Sequence, residues 1–261
     1  MSRPSGIVAM RAGFGTFTLG LIGGHLSSLR GILTSSWRII GPSGTLLTAH
    51  WLTFFMSVQL AGVAVATLTF ATFPLFTVIV EAVQQRRFPT LAEIAVGVVI
   101  IVAVALLVQP GGGQSNVAGA AAGLASALAY ALFWRMSQQL GNAASPVTIS
   151  FLQNGVVLLL LIPALFFAKP APTEMSEWLS LVALGVFNTA VMLLLYLYVL
   201  QRISASTCSC FVALEPVYAI VFAALLFDEA ITPWIVLSIA LILAASLTLL
   251  KIEKQVSPPA L

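Results

Sequence analysis

The sequence predicts an all-α integral membrane protein of about nine transmembrane helices, arranged as two inverted repeats of four and five spans. Three observations predict it. Hydrophobic residues make up 60% of the 261 residues and charged residues only 7%, with a mean hydropathy of +1.07. A water-soluble domain carries about 25% charged residues, so this chain cannot cover a water-facing surface. Its apolar runs match the roughly 20 residues a helix needs to cross a bilayer. Displacing the chain by 142 residues lays four of those runs on four others. Together these exclude an ordinary cytosolic enzyme, a nucleic-acid-binding domain and a disordered chain. The net charge of +3 records loop lysines and arginines, not a nucleic-acid partner.

The first span, 6–26, is glycine-rich and contains Arg11 and His25. Arg3 ahead of an apolar stretch also suits a cleaved signal peptide, but Arg11 interrupts the stretch and no A-x-A site follows. The second, 44–60, is more polar, with His50 and Gln59. Seven charge-poor runs follow at 63–83, 91–108, 117–134, 147–167, 178–200, 205–227 and 232–250. Their lengths exclude barrel strands, which take about 9–11 residues. The joints at 60–63 and 227–232 allow only tight hairpins, and the longest loops fall at 27–43, 109–116 and 168–177. The segment 109–116 is rich in turn residues and reads as the halfway linker. The domains are then a first, incomplete repeat at 1–110, a second at 117–250 and a tail at 251–261.

The basic residues orient the spans. Arg30, Arg38, Arg86, Arg87, Arg135, Arg202, Lys251 and Lys254 fall on one side, and Arg3 and Lys169 on the other. The richer side is cytoplasmic by the positive-inside rule, which places the C-terminus in the cytoplasm.

The shift of 142 aligns 6–26 with 148–168, 44–60 with 186–202, 63–83 with 205–225 and 91–108 with 233–250. It pairs Gln59 with Gln201, Pro74 with Pro216, Thr90 with Thr232 and Ala103 with Ala245. Equivalent positions are five spans apart, so the two copies cross the membrane in opposite directions. Many secondary transporters are built this way, with substrate near the midplane. Span 117–134 would pair with residues before Met1, which predicts a further helix upstream in the functional product.

Two stretches carry a family resemblance. His50-Trp51-Leu52-Thr53-Phe54-Phe55 with Leu68-Thr69-Phe70-Ala71-Thr72-Phe73-Pro74-Leu75-Phe76 is one. Leu214-Glu215-Pro216-Val217-Tyr218 running to Asp228-Glu229 is the other. They resemble the drug/metabolite transporter superfamily, EamA-like branch, in its third, fourth and ninth helices, over roughly residues 5–250. The resemblance implies ten helices in two inverted repeats of five, and export or exchange of small metabolites. The chain departs from the family's pattern in lacking the first helix. It also has Arg87 where the first hairpin usually carries glutamate, and Ala82 where a proline is frequent.

Polar residues inside spans are the candidate substrate-binding or coupling residues, because a charge at mid-bilayer costs about 2.5–3.5 kcal/mol and normally faces protein or water. Glu215 lies in the middle of 205–227 and suits a proton carrier or a ligand for a cation; the alternative is a carboxyl bonded to backbone beside Pro216. Arg11 suits a substrate carboxylate or a buried acid, and otherwise snorkels to headgroups. Its repeat mate is Gln153, followed by Asn154. Asn188, His50, Tyr130, Trp134 and Tyr218 are further candidates. Asn188 also suits an inter-helix bond, and Trp134 with Arg135 an interfacial anchor. Glu81, Glu93, Arg86 and Arg87 read as solvated span ends. Pro74 and Pro216 are hinge candidates, since a mid-helix proline removes a backbone donor. Gly119 and Gly123 form a small-residue stripe suited to packing within the bundle or to a homodimer.

Cys208 and Cys210 project about 200° apart around a helix and cannot chelate one metal. Nucleotide-binding and common hydrolase motifs are absent, so no catalytic residue, metal or cofactor is expected. The sequence thus supports a secondary transporter of small molecules working by alternating access in a bacterial-type inner membrane, with proton coupling open. The alternatives are a non-transporting or truncated membrane subunit and a membrane-embedded enzyme.

Overall fold

A computed structural model describes residues 4–23, 29–107, 113–140, 144–166, 174–203, 215–227 and 231–256. Among these residues there is helix and turn but no strand. The helices are α1 (Pro4–Ile22), α2 (Leu29–Phe70), α3 (Phe73–Gln84), α4 (Leu91–Leu107) and α5 (Gly113–Leu140). Then come α6 (Pro146–Phe166), α7 (Met175–Gly185), a π-helical segment (Val186–Val191), α8 (Met192–Leu200), α9 (Glu215–Phe227) and α10 (Pro233–Val256).

Among the described residues, five stretches are long and apolar enough to cross a membrane: Ser5–Ile22, Thr34–Phe70, Asn116–Leu140, Pro146–Phe166 and Met175–Val199. Shorter apolar helices cover Phe73–Gln84, Leu91–Leu106, Glu215–Leu226 and Pro233–Leu249. The outer surface carries large apolar side chains such as Phe17, Leu21, Val83, Leu225 and Leu226, while Ser43, Ser57, Thr69, Gln153 and Asn154 lie inside. That distribution suits a hydrocarbon solvent, which solvates leucine well and an amide badly. The chain is an all-α membrane protein.

Several local expectations are corrected. Residues 29–43 are not a loop but the opening of α2. Ile32 and Ile40, one helical face apart, are buried with Leu140, Ile149 and Leu197, and that burial sustains helix through Pro42. The Ser43 hydroxyl donates to Ile40 O at 3.0 Å in the turn containing the proline. The joint at 60–63 needs no loop: Gly62 alone breaks the helix, at φ 81° and ψ 174°, a conformation essentially closed to side-chain-bearing residues.

Span 63–83 is interrupted at Ala71–Thr72, so Pro74 stands in the first turn of α3 and not in mid-helix. There its missing N–H leaves no helical bond broken. Residues 113–116 of the expected linker are already helical, because polar residues suit a helix's first turn as well as a loop. Positions 109–112 of that linker, Cys208, Cys210, Asp228 and Glu229 lie outside the described residues.

The chain forms two compact units, and α2 and α5 contribute residues to both. The first comprises 1–52 and 136–203. In it α1 runs against α6, α7 and the π-helical segment. The second comprises 53–135 and 204–261. In it α10 packs on α4 and α3, burying Val78, Val96, Ile100, Ala245 and Leu249 in one cluster and Leu68, Ala103, Ile220 and Ile242 in another.

Helix starts echo the displacement seen in sequence. Leu91 and Pro233, which open α4 and α10, are 142 apart. Just ahead of them, Thr90 Oγ1 accepts from Glu93 N at 3.2 Å and Thr232 Oγ1 from Ile235 N at 3.3 Å. The paired threonines thus serve as equivalent caps, each satisfying a donor of the first turn.

Candidate functional site

The first unit gathers polar groups that membrane helices ordinarily exclude. Arg11 is 7% exposed and does not snorkel. Its Nε donates to Thr189 Oγ1 at 3.0 Å and its Nη2 to the Asn188 carbonyl at 3.1 Å. Its guanidinium carbon lies 4.2 Å from the centre of the Trp51 ring, a cation–π contact of roughly 0.5–2 kcal/mol. The arginine is thus fixed in position and plane.

The π-helical segment makes this possible. Thr189 Oγ1 accepts from Arg11 while its own proton goes to Leu184 O, five residues back, at 2.9 Å. A π segment widens the helical turn and frees backbone carbonyls, and such segments concentrate at functional sites. Two glycines let the helices approach there. A Cβ on Gly15 would lie 2.7 Å from Thr189 Cγ2, 3.1 Å from Asn154 Nδ2 and 3.2 Å from Gly185 O. A Cβ on Gly185 would overlap Phe14 Cβ and come within 2.9 Å of Arg11 O. The same Gly15 position therefore touches Thr189 and Asn154 and places the Asn154 amide beside Arg11's partner.

Gln153 and Asn154 are both fully buried on α6. Gln153 Nε2 donates to Ser43 Oγ and Ser137 Oγ, each at 2.9 Å, tying α6 to α2 and α5. Asn154 differs, because neither its Nδ2 nor its Oδ1 has a hydrogen-bond partner among the described residues. Gln153 bonds Ser43, whose counterpart at a displacement of 142 is Gly185, packed against the backbone of Arg11.

His50 is buried in this unit. Asn188 contributes its backbone carbonyl, while the residue itself is exposed. Trp51 and Thr189, which contact Arg11, join this candidate site, and polarity within spans did not single them out. Trp51 follows His50 in the second span, and its contact with Arg11 shows only in the structure.

The second unit holds Tyr130 and Trp134 away from any interface. Trp134 is fully buried, edge-on to Phe73 at 5.0 Å, and Tyr130 stacks with Phe133 at 5.5 Å. The anchoring reading of Trp134 therefore falls. Arg135 instead joins α5 to α3, through Glu81 at 3.1 Å and Gln84 at 2.7 Å. Glu93, only 7% exposed, takes a two-pronged contact from Arg87 at 2.8 Å on each oxygen and accepts from Thr90 N at 2.7 Å. Neither Glu81 nor Glu93 is simply solvated. The hydrogen bond to Glu93 also holds the Arg87 guanidinium above its ordinary pKa.

Glu215 opens the described part of α9 and is half-buried, with Pro216 buried behind it. Tyr218 is 54% exposed and lies on the outer surface. The small-residue stripe of α5 is used within this unit. Gly119 faces Ala61, Gly123 faces Thr69 and Ser57, and Ser57 Oγ donates to Gly119 O at 2.7 Å.

The chain matches the model of the EamA-like transporter family over residues 117–251. It is 26% identical over 181 residues to an uncharacterized transporter of Bacillus subtilis, covering 68% of this chain and 58% of that relative. The match thus spans less than two thirds of the Bacillus protein's length. It is 25% identical over 229 residues to an uncharacterized transporter of Synechocystis sp., covering 85% of this chain and 68% of the relative. A solved crystal structure of another protein superposes with a TM-score of 0.71 at 20% identity, covering 96% of this chain and 88% of the other, a likeness of fold.

Proposed function

This chain belongs to the EamA-like transporter family, and from that premise we propose that it is a secondary transporter that exports small metabolites across the cell membrane by alternating access. The observation that carries the reading is the fixed Arg11 beside the unbonded Asn154 amide, fully buried among helices of membrane-crossing length. An arginine and an unbonded amide are costly in hydrocarbon, and a carrier can use such groups to replace water around its solute. The π-helical segment, the break at Ala71–Thr72 and the Gly62 break supply irregular backbone, which membrane proteins tolerate where protein or a water-lined path surrounds it.

The displacement of 142, with its equivalent threonine caps, supports two inverted repeats at 1–110 and 117–250. Their exchange of exposure is the transport motion, with Pro74 and Pro216 at the points of bending. A homodimer would use some other surface than Gly119 and Gly123, which are occupied by α2.

The purified chain, reconstituted in vesicles, tests the reading directly. Time-dependent, saturable movement of a small solute under an imposed solute or proton gradient is expected, and vesicles indistinguishable from protein-free ones would refute it. Orientation is checked separately. With eight basic residues assigned by the sequence to one side against two, a reporter fused after Lys254 should read as cytoplasmic and one inserted at 111–115 as external. An external C-terminus would reverse the assignment.

A further inference from the structure

We infer that the π-helical segment is a two-position turn latched by Arg11: the arginine and the Met192 amide compete for one carbonyl, and releasing the arginine closes the turn to α spacing. The inference goes beyond the transporter reading and does not depend on it.

The competition follows from counting backbone bonds. The wide spacing of the segment ends with Met192 N–H on Phe187 O, five residues back. From Met192 onward the helix is α again, and there an amide reaches back four residues, as from Leu193 to Thr189. Asn188 O is the carbonyl passed over between the two spacings. It is also the carbonyl to which Arg11 Nη2 donates, at 3.1 Å. In an unbroken α-helix it would take Met192 N–H instead. A carbonyl among membrane helices needs a donor, so the guanidinium stands in for the missing amide. Thr189 shows the same choice. Its hydroxyl donates to Leu184 O, five residues back, at 2.9 Å, where α spacing would offer Gly185 O. The same hydroxyl accepts from Arg11 Nε at 3.0 Å. Arg11 thus grips both groups that mark the wide turn, with the Trp51 ring against its other side.

Closing the turn winds one more residue into α8. Relative to α7, α8 then rotates by about 100° and advances by about 1.5 Å. The sequence tolerates that rotation. Met192-Leu193-Leu194-Leu195-Tyr196-Leu197 carries large apolar or aromatic side chains on every face. Leu193 and Leu197 are buried and Leu195 is exposed. Rotation brings Met192 to the place of Leu193 and Tyr196 to that of Leu197, and a leucine turned outward meets lipid as apolar as itself. The Asn154 amide, without a hydrogen bond among the described residues, borders the Gly15 Cβ position together with Thr189, so a rearranged turn finds an unused donor and acceptor beside it.

The test uses the full chain in detergent, with Cys208 and Cys210 replaced by serine and spin labels at the exposed Leu159 of α6 and Leu195 of α8. Rotation by 100° on a helix about 10–12 Å across moves a surface label by about 8 Å. Double electron–electron resonance should give one label distance in the parent and a distance shifted by several ångström in Arg11→Met, which keeps the stem and loses the donors. Phe187 is 62% exposed, and its deletion removes the spare residue while the flanking helices keep their places. In that background the distance should match the parent's, and Arg11→Met should leave it unmoved. Arg11→Lys, which keeps the charge without the planar fork, should populate both distances. It replaces the methionine variant, under the same comparison, if that one fails to fold. The inference is overturned if loss of the guanidinium leaves the parent distance in place, or shifts it equally with and without Phe187.

Discussion

Replacing Gly123 by leucine is expected to lower the Tm of the detergent-purified protein more than any other single small-residue change in α5. Its Cβ would fall on the Thr69 hydroxyl and within 2.9 Å of Thr69 Cβ and 3.1 Å of Ser57 Oγ. Thr69 Cβ is anchored one bond from the backbone of α2 and cannot swing aside. Thr69 and Ser57 are also fixed by their own bonds, to Val65 O at 2.7 Å and Gly119 O at 2.7 Å. Overpacking a close helix contact costs about 1–3 kcal/mol for added methylenes, and a four-carbon side chain at this position reaches or exceeds the top of that range. Gly97→Ala is the control. Its Cβ would meet only Leu75, at 3.6 Å, an ordinary contact. Alanine's helix propensity there, worth about 1 kcal/mol over glycine, should leave the Tm unchanged or raise it. Equal melting of the leucine variant and the parent would show that α2 and α5 do not interlock at Gly123.

That interlock was half legible beforehand. The spacing of Gly119 and Gly123 announced a close helix contact, but spacing along one helix names no partner, and α2 lies about 60 residues away in sequence. The spans themselves were legible because hydrocarbon imposes length and composition together. Their polar ends were not. Residues 29–43 and 113–116 stay helical because the backbone's own hydrogen bonds and the burial of Ile32 and Ile40 hold them, neither of which requires an apolar run.

The candidate site divides in the same way. Arg11, Gln153 and Asn154 stood out as polar residues in apolar surroundings, and they fall in one unit. Thr189 did not stand out, because a threonine in a membrane helix normally returns its hydroxyl to its own backbone. Here it does so to Leu184 O and accepts from Arg11 as well. Asn188 was singled out for its side chain, yet its carbonyl does the binding, a role that any residue in the π segment could supply. The pairing of Arg135 with Glu81 was hidden by 54 residues of separation, and that of Arg87 with Glu93 by the turn between them.

Glu215→Gln is expected to leave folding and membrane insertion intact while abolishing any proton-coupled or cation-dependent transport. Glu215 is the only acidic residue near the middle of any span. Keeping a carboxylate in hydrocarbon costs several kcal/mol, more than the roughly 0.5–1.5 kcal/mol that one hydrogen bond returns, so the position is unfavourable unless water or solute reaches it. Its place in the repeat supports an inward setting. Its mate at a displacement of 142 is Phe73, which is also followed by proline and is fully buried among Phe70, Tyr130 and Trp134. Position 215 thus carries an ionisable group where its counterpart at 73 carries an aromatic ring. Glutamine keeps the size and the hydrogen bonding of glutamate but cannot release a proton, and aspartate keeps the proton with a shorter reach. In vesicles with an imposed pH gradient, the glutamine variant should show no gradient-driven uptake at a melting temperature equal to the parent's, and the aspartate variant a reduced rate. Gradient-driven transport by the glutamine variant at the parent rate, from mildly acidic to mildly alkaline pH, would remove Glu215 from coupling and assign it to the packing around Pro216.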